Sequence, residues 1–144
     1  MKRTFTLDEA NRLLPVLESL LRMAIASHQA MQEAQQEIQK AGHHVFLSGG
    51  SLLNISALLK VKAQSESAAQ RLHELLAEID SLGVQVKDLE IGLLDFPCQL
   101  DDETILLCWK LGEPTIAYWH TVEAGFKGRQ PIDERITRPK QRPI

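Results

Sequence analysis

The sequence predicts an α+β protein: a long antiparallel α-helical hairpin, then a small antiparallel β-meander, then an extended C-terminal tail. Three observations predict it. Apolar residues recur at three- and four-residue intervals along two long stretches, first through Leu14, Leu17 and Leu21 and later through Leu58, Val61 and Leu72, as on the buried stripe of a helix. After Gly83 the pattern changes to short β-branched and aromatic runs separated by turn residues. Pro131, Pro139 and Pro143 then punctuate the C-terminal stretch.

The first helix opens with Thr6-Leu7-Asp8-Glu9, a capping box in which the threonine hydroxyl and the glutamate carboxylate each satisfy an orphan amide of the other's residue. A helix is therefore expected from Leu7. Pro15 lacks a donor and crowds the carbonyl four residues back, so the first helix is expected over 7–14, kinking or restarting at Pro15. The long helix then runs to about residue 41, with Gly42 as its stop. Its seam is read as Leu14, Leu17, Leu21, Ala24, His28, Met31, Gln35 and Ile38. A second helix is expected from Ser51 or Asn54 to Leu82, ended by Gly83, with Leu58, Val61, Ser65, Ala68, Leu72, Leu75, Ile79 and Leu82 on its seam. The connection between them carries Val45-Phe46-Leu47, three apolar residues that would fold back on the hairpin or dock on another subunit. Helices of about 27 to 32 residues extend roughly 40 to 48 Å at 1.5 Å per residue. Seams that turn polar at His28, Gln35 and Ser65 favour a homo-oligomer, a dimer first of all.

Strands are expected over 84–87, 93–100, 104–110 and 115–121, with Asp101-Asp102-Glu103 and Leu111-Gly112-Glu113-Pro114 as loops. Those loops pair Phe96 with Cys108, Cys98 with Leu106, Trp109 with Ile116 and Leu107 with Tyr118. The core face then holds Leu94, Phe96, Cys98, Leu106, Cys108, Ala117 and Trp119. The other holds Leu93, Asp95, Leu107, Trp109, Ile116, Tyr118 and His120, and is too apolar to be simply solvated. In this register Asp95 and His120 lie two strands apart and several residues out of step, too far for a direct hydrogen bond.

Length and composition bound the function. A chain of 144 residues fits one domain, read as 1–132 with the hairpin over 7–82 and the sheet over 84–121, followed by a basic tail over 133–144. Hydrophobic residues at 44% and charged residues at 24% fit a globular class rather than a disordered or membrane one. No apolar run of about 18 residues is present, and Met1-Lys2-Arg3-Thr4 leads into a helix signal rather than a signal peptide, so a cytoplasmic location and no membrane association are expected. From Lys127 onward six basic residues face two acidic ones, although the whole chain carries −3. Such a tail is expected to be solvated, and nucleic acid is not the expected partner; binding through the tail alone would be weak and salt-sensitive. Cys98 and Cys108 are expected reduced and buried, too few to make a tetrahedral zinc site alone.

No nucleophile stands in a recognisable elbow or beside an evident base, so no catalytic residue and no cofactor is assigned. His120 and Glu123, with Asp88 and Glu90 before the sheet, would build a metal site only across loops, and their spacing is not diagnostic. His28 and His73 lack the Glu-x-x-His pattern of di-iron bundles, and His43-His44 is a weak metal signal. Ser48-Gly49-Gly50-Ser51 reads as turn chemistry. Gly125-Phe126-Lys127-Gly128-Arg129 is the better anion candidate, because Arg129 offers a bidentate fork to a carboxylate or phosphate.

Several longer strings carry a resemblance. They are Phe5-Thr6-Leu7-Asp8-Glu9-Ala10-Asn11 with Leu13-Leu14-Pro15, then Val86-Lys87-Asp88-Leu89-Glu90 and Gly92-Leu93-Leu94-Asp95-Phe96-Pro97. Leu107-Cys108-Trp109-Lys110-Leu111-Gly112-Glu113, Tyr118-Trp119-His120 and Ala124-Gly125-Phe126-Lys127-Gly128-Arg129-Gln130-Pro131 complete them. On these the chain resembles the bacterial family catalogued as domain-of-unknown-function family 2203, from Phe5 to about Ile132. The resemblance implies no activity, but it concentrates the polar residues Lys87, Asp88, Glu90, Asp95, Glu113, His120, Arg129 and Gln130 in or beside the sheet. Asp88, Glu90, Asp95, His120, Arg129 and Gln130 are therefore the ligand-binding candidates. Similar sequences place an acidic residue directly after the histidine, where this chain has Thr121, so a ligand role shared by those two positions is not carried over. The leading expectation is a non-enzymatic, oligomeric interaction module with a protein partner or small anion. The alternative is a metal- or anion-binding protein or enzyme with its site in the C-terminal β-region.

Overall fold

The computed structural model describes residues 3–47 and 55–137, with the side chains of 45 and 46 excepted. The chain is α+β: two long helices packed together, followed by a five-stranded antiparallel sheet. Helix α1 covers Leu7–Leu47 and α2 covers Ile55–Ser81. Strands β1 (Gln85–Asp88), β2 (Leu93–Leu100), β3 (Glu103–Lys110), β4 (Tyr118–Thr121) and β5 (Gln130–Pro131) follow, and α3 (Glu134–Thr137) comes last.

The capping box forms as read: the Thr6 amide donates to Glu9 Oε1 at 3.1 Å, and the Glu9 amide donates to Thr6 Oγ1 at 3.1 Å. Two expected interruptions do not occur. Pro15 lies inside α1, where its fixed φ is compatible with a helix and its cost, a lost hydrogen bond and a crowded carbonyl together about 3 kcal/mol, is set against the burial of Leu14, Leu17, Leu20 and Leu21 around it. Gly42 also lies within α1, since a glycine in a helix interior costs only about 1 kcal/mol relative to alanine. Gly83 does end α2: its φ of 90° is one that glycine alone adopts readily, and its amide donates to the Asp80 carbonyl at 2.9 Å. The expected start of α2 at Ser51 or Asn54 and the Ser48-Gly49-Gly50-Ser51 turn lie outside the described residues, as do the Val45 and Phe46 side chains.

The chain divides into two compact units. Arg22–Leu76, the later part of α1 with most of α2, buries Ala24, Ser27 and Ala34 from one helix and Ser65 and Ala68 from the other. The alternating three- and four-residue spacing is real, but buried Leu20 sets its phase, so Ser27 and Ala34 replace the expected His28 and Gln35.

The second unit holds the beginning of α1, the end of α2 and the whole sheet, a meander in the order β1-β2-β3-β4-β5. Here the expected register is wrong by one residue at both hairpins. Leu100 pairs with Glu103, so the β2–β3 turn is the two residues Asp101-Asp102 rather than three. Asp101 takes φ 54°, the positive value that tight two-residue turns demand and that aspartate tolerates. Asp95 rather than Phe96 therefore faces Cys108. The next loop runs over 111–117 before β4 begins, and it pairs Leu107 with Trp119 and Cys108 with Tyr118. A slip of one residue reverses a strand's faces, and β3 is the strand reversed.

Leu94, Phe96 and Cys98 consequently share the inner face with Ile105, Leu107, Trp109 and Trp119, all buried. Phe5 seals this core edge-to-face on Phe96, with ring centroids 5.6 Å apart, and donates its amide to the Pro97 carbonyl at 2.7 Å. Asn11 Oδ1 accepts the Ile116 amide at 3.0 Å and ties the β3–β4 loop to α1. Gly92 has φ 70°, and a side chain there would meet Leu111 Cβ at 2.6 Å. The sheet also continues past 121, because β5 pairs with β4 through Tyr118–Pro131 and Trp119–Gln130. The segment after 132, expected to be extended or disordered, begins with the single turn of α3, which buries Ile136 and is capped by Asp133. No helix among the described residues is long and apolar enough to cross a membrane.

Candidate functional site

The outer face of the sheet carries Asp95 on β2, Cys108 on β3 and His120 on β4. They are 1%, 0% and 2% exposed. His120 Nε2 lies 3.1 Å from both carboxylate oxygens of Asp95, the direct contact that the expected register excludes. The true pairing explains it. Asp95 sits opposite Cys108 and His120 opposite Leu106, so the two are offset by two residues along β3, half the offset of the expected pairing. Two strand spacings come to about 9.6 Å between backbones. A carboxylate and an imidazole pointing toward each other above β3 close that gap.

The other ring nitrogen, Nδ1, lies 2.8 Å from the Thr121 carbonyl. A carbonyl only accepts, so Nδ1 carries the hydrogen and Nε2 faces Asp95. Both nitrogens are engaged. The Cys108 thiol completes the cluster, and one ligand atom from each residue lies within 4.8 Å of the others. Burial, followed by the Asp95 charge, pushes this thiol up to about 12, so with no metal beside it the thiol keeps its proton at neutral pH.

Asp95 and His120 form part of the floor of an open groove with a volume of about 780 Å³, lined entirely by the sheet-containing unit. Leu93, Pro97 and Leu106 supply its apolar floor, while Gln85, Lys87, Gln99 and Thr104 supply polar groups. Ile91, Val122 and Phe126, three exposed large apolar side chains, also line it.

The other sequence candidates go elsewhere. Asp88 lines the groove, but its carboxylate accepts the Ile91 amide at 3.3 Å and so shapes the β1–β2 turn. Glu90 and Glu123 are exposed, and neither joins His120 in a cluster. Arg129 Nη2 donates to both oxygens of Glu113 at 2.7 and 2.9 Å, and its guanidinium stacks 4.1 Å from the Tyr118 ring centroid and 5.0 Å from that of Phe126. Glu113 Oε1 accepts the Lys110 amide at 2.6 Å as well, and the Glu113 carbonyl accepts Trp109 Nε1 at 2.9 Å. Nη2 is occupied within the fold, where it fastens the Phe126–Gly128 turn and the β3–β4 loop to the sheet, while Nε is buried without a hydrogen-bond partner. Gln130 is exposed on β5.

Cys108 is the residue that sequence reasoning missed, because the slipped register put it on the core face. The signal was present in Asp101-Asp102, two adjacent residues of the type that tolerates positive φ and closes a two-residue hairpin.

A helical pair followed by a five-stranded meander, with three buried ligand-type side chains on the outer face of the sheet, defines a small α+β protein with one concentrated polar site. The chain belongs to the family described as an uncharacterized conserved protein (DUF2203), whose model matches residues 3–132. No curated protein and no solved structure matches it.

Proposed function

We propose that this is a cytoplasmic binding protein that takes a small polar ligand in the groove on the outer face of its sheet, with Asp95 and His120 as the polar floor. One observation carries the reading: two ionisable side chains, nearly devoid of solvent exposure, meet on a face whose neighbouring positions are Leu93, Pro97 and Leu106. A buried ion pair is a poor source of stability, since well-packed apolar residues of similar volume often replace one without loss. The inner face of the same sheet is built that way. Two buried free thiols suit a reducing compartment.

The geometry favours binding over acid–base catalysis. A general base must offer a free nitrogen to its substrate, and both nitrogens of His120 face acceptors within the protein. Arg129, engaged by Glu113, is a positioning residue for the groove wall rather than the anion receptor.

The test is 1H–15N NMR of the intact chain with acetate, phosphate and imidazole as separate probes. Saturable shifts at Gln99, Thr104 and His120, lost in His120→Ala with the remaining spectrum intact, are expected. An absence of saturable shifts with all three, or shifts away from the sheet, contradicts the reading.

A second reading, self-association through the helices, has its own observation. Ile55 and Leu59, one turn apart on α2, are 41% and 60% exposed, and Val16 and Met23, two turns apart on α1, are 53% and 39% exposed. Light scattering that returns a dimer mass, reduced to the monomer by Leu59→Glu, supports it. A monomer mass throughout the concentration range removes it.

A further inference from the structure

We infer that Asp95, Cys108 and His120 together hold a divalent transition metal, of zinc type by donor set, with the remaining coordination position turned toward the groove. The inference rests on the groove reading and names what the ligand would meet at its floor.

With the hydrogen on Nδ1, donated to the Thr121 carbonyl, a neutral His120 points the Nε2 lone pair at a carboxylate that also only accepts. Two acceptors do not hold each other 3.1 Å apart in a buried site unless something positive lies between them. A proton is one candidate and a metal the other. The nitrogen is equidistant from both oxygens, at 3.1 Å each, so whatever lies between is shared by the two oxygens, and the third donor is what favours a metal.

Cys108 brings sulfur to the same point, its ligand atom within 4.8 Å of the other two. Tetrahedral zinc with bonds of about 2.0 to 2.3 Å holds its donors roughly 3.3 to 3.8 Å apart, so a contraction of about 1 Å closes the set. Mixed nitrogen, sulfur and carboxylate donors favour zinc over calcium or magnesium, which take oxygen alone. Each donor comes from a different one of three hydrogen-bonded strands, so the set is fixed by the sheet rather than by loops.

A ligating histidine usually donates its other ring N–H to a carbonyl or carboxylate, which fixes the tautomer and aims the free nitrogen at the metal; the Thr121 carbonyl does this for His120. Three protein ligands with a fourth position left open is the arrangement of zinc sites that bind exchangeable ligands. Asp95 and His120 line the groove, so that position opens where a small anion or water arrives.

The experiment is cobalt(II) titration of the intact, metal-stripped chain, followed by optical spectroscopy, with zinc competition and elemental analysis. Expected are one cobalt per chain, a thiolate-to-cobalt charge-transfer band, visible bands of tetrahedral intensity, and displacement by one equivalent of zinc. Cys108→Ser should abolish the charge-transfer band, and His120→Gln should weaken binding by 10-fold to 100-fold or more. Glu123→Gln, at an exposed residue outside both the groove lining and the cluster, should leave the titration unchanged. Circular dichroism of each variant establishes that it is folded, and Cys108→Ser, close in size to the native residue, keeps the test open if His120→Gln does not fold. No cobalt spectrum in the unmodified chain, or a spectrum that survives Cys108→Ser, overturns the inference. If the chain takes no metal but the acetate, phosphate or imidazole shifts appear at the groove, the metal is wrong and the groove stands. If metal binds as expected but no probe perturbs the cobalt spectrum or the groove amides, the metal stands and the groove reading falls.

Discussion

The inner and outer faces of the sheet are made by alternate residues of the same strands, yet they solve different problems. On β2 the inner face presents Leu94, Phe96 and Cys98, while the outer presents Leu93, Asp95 and Pro97. On β3 the inner face presents Ile105, Leu107 and Trp109, while the outer presents Leu106 and Cys108. The inner set is apolar apart from its two indoles: Trp109 donates to the Glu113 carbonyl, and Trp119 Nε1 is buried without a hydrogen-bond partner. The outer set buries an acid and a base that require each other. Stability therefore resides in the inner face, and the outer face carries chemistry that stability alone does not call for.

Trp109→Ala should have the largest effect, because it empties a site 1% exposed and leaves the Glu113 carbonyl without its indole donor. A loss of about 3 to 5 kcal/mol in urea unfolding is expected. A loss below about 1 kcal/mol would mean that the inner face is not the source of stability.

Asp95→Ala separates the faces in a different way. Removing one partner of a buried pair leaves the other uncompensated, at a cost of about 3 kcal/mol, whereas Asp95→Leu combined with His120→Leu should recover most of that loss. Metal-free protein in urea melts gives both values. A double variant as unstable as the single one would show that the pair supports the fold rather than a ligand.

Arg129→Ala should cost about 2 kcal/mol, through the lost Glu113 pair and the two aromatic stacks. Hydrogen exchange should accelerate in the Phe126–Gly128 turn and β5 before it does in β2 and β3. Uniform acceleration across the sheet would contradict a local fastening role.

The smallest effect concerns pH. Burial, then the Glu9 charge, raises the Cys98 thiol above its ordinary 9.0, so the folded chain holds this proton more tightly than the unfolded chain. The resulting stabilisation is complete below pH 9 and is lost as pH rises beyond it. Cys98→Ala should flatten this alkaline decline in a series of thermal melts; an unchanged slope would assign the decline to other groups.

Much of the fold was legible because its signals are local. The capping box at Thr6 and Glu9, the stop at Gly83 and the strand runs after it all depend on a few neighbouring residues. Pro15 and Gly42 misled because each carries a fixed local penalty of a few kcal/mol or less, which a 41-residue helix with a buried face absorbs. The site was half legible. Asp95 and His120 were on the expected face, but their meeting depended on the register at both hairpins: on whether Glu103 belonged to a turn or to a strand, and on the length of the β3–β4 loop. Leu100 pairs with Glu103, and that single pairing brings Cys108 to the outer face beside them. The helical unit shows the same limit: a repeat of three and four can be read in more than one phase until Leu20 is known to be buried.

The most direct test of the outer face as the working face is an 1H–15N NMR titration of the intact, metal-free chain with zinc. Shifts that saturate at one equivalent and centre on Asp95, Leu106, Cys108, His120 and Thr121, with the inner-face amides of Phe96, Leu107 and Trp109 moving far less, are the predicted result. Shifts confined to His43 and His44, or none at stoichiometric zinc, would contradict it.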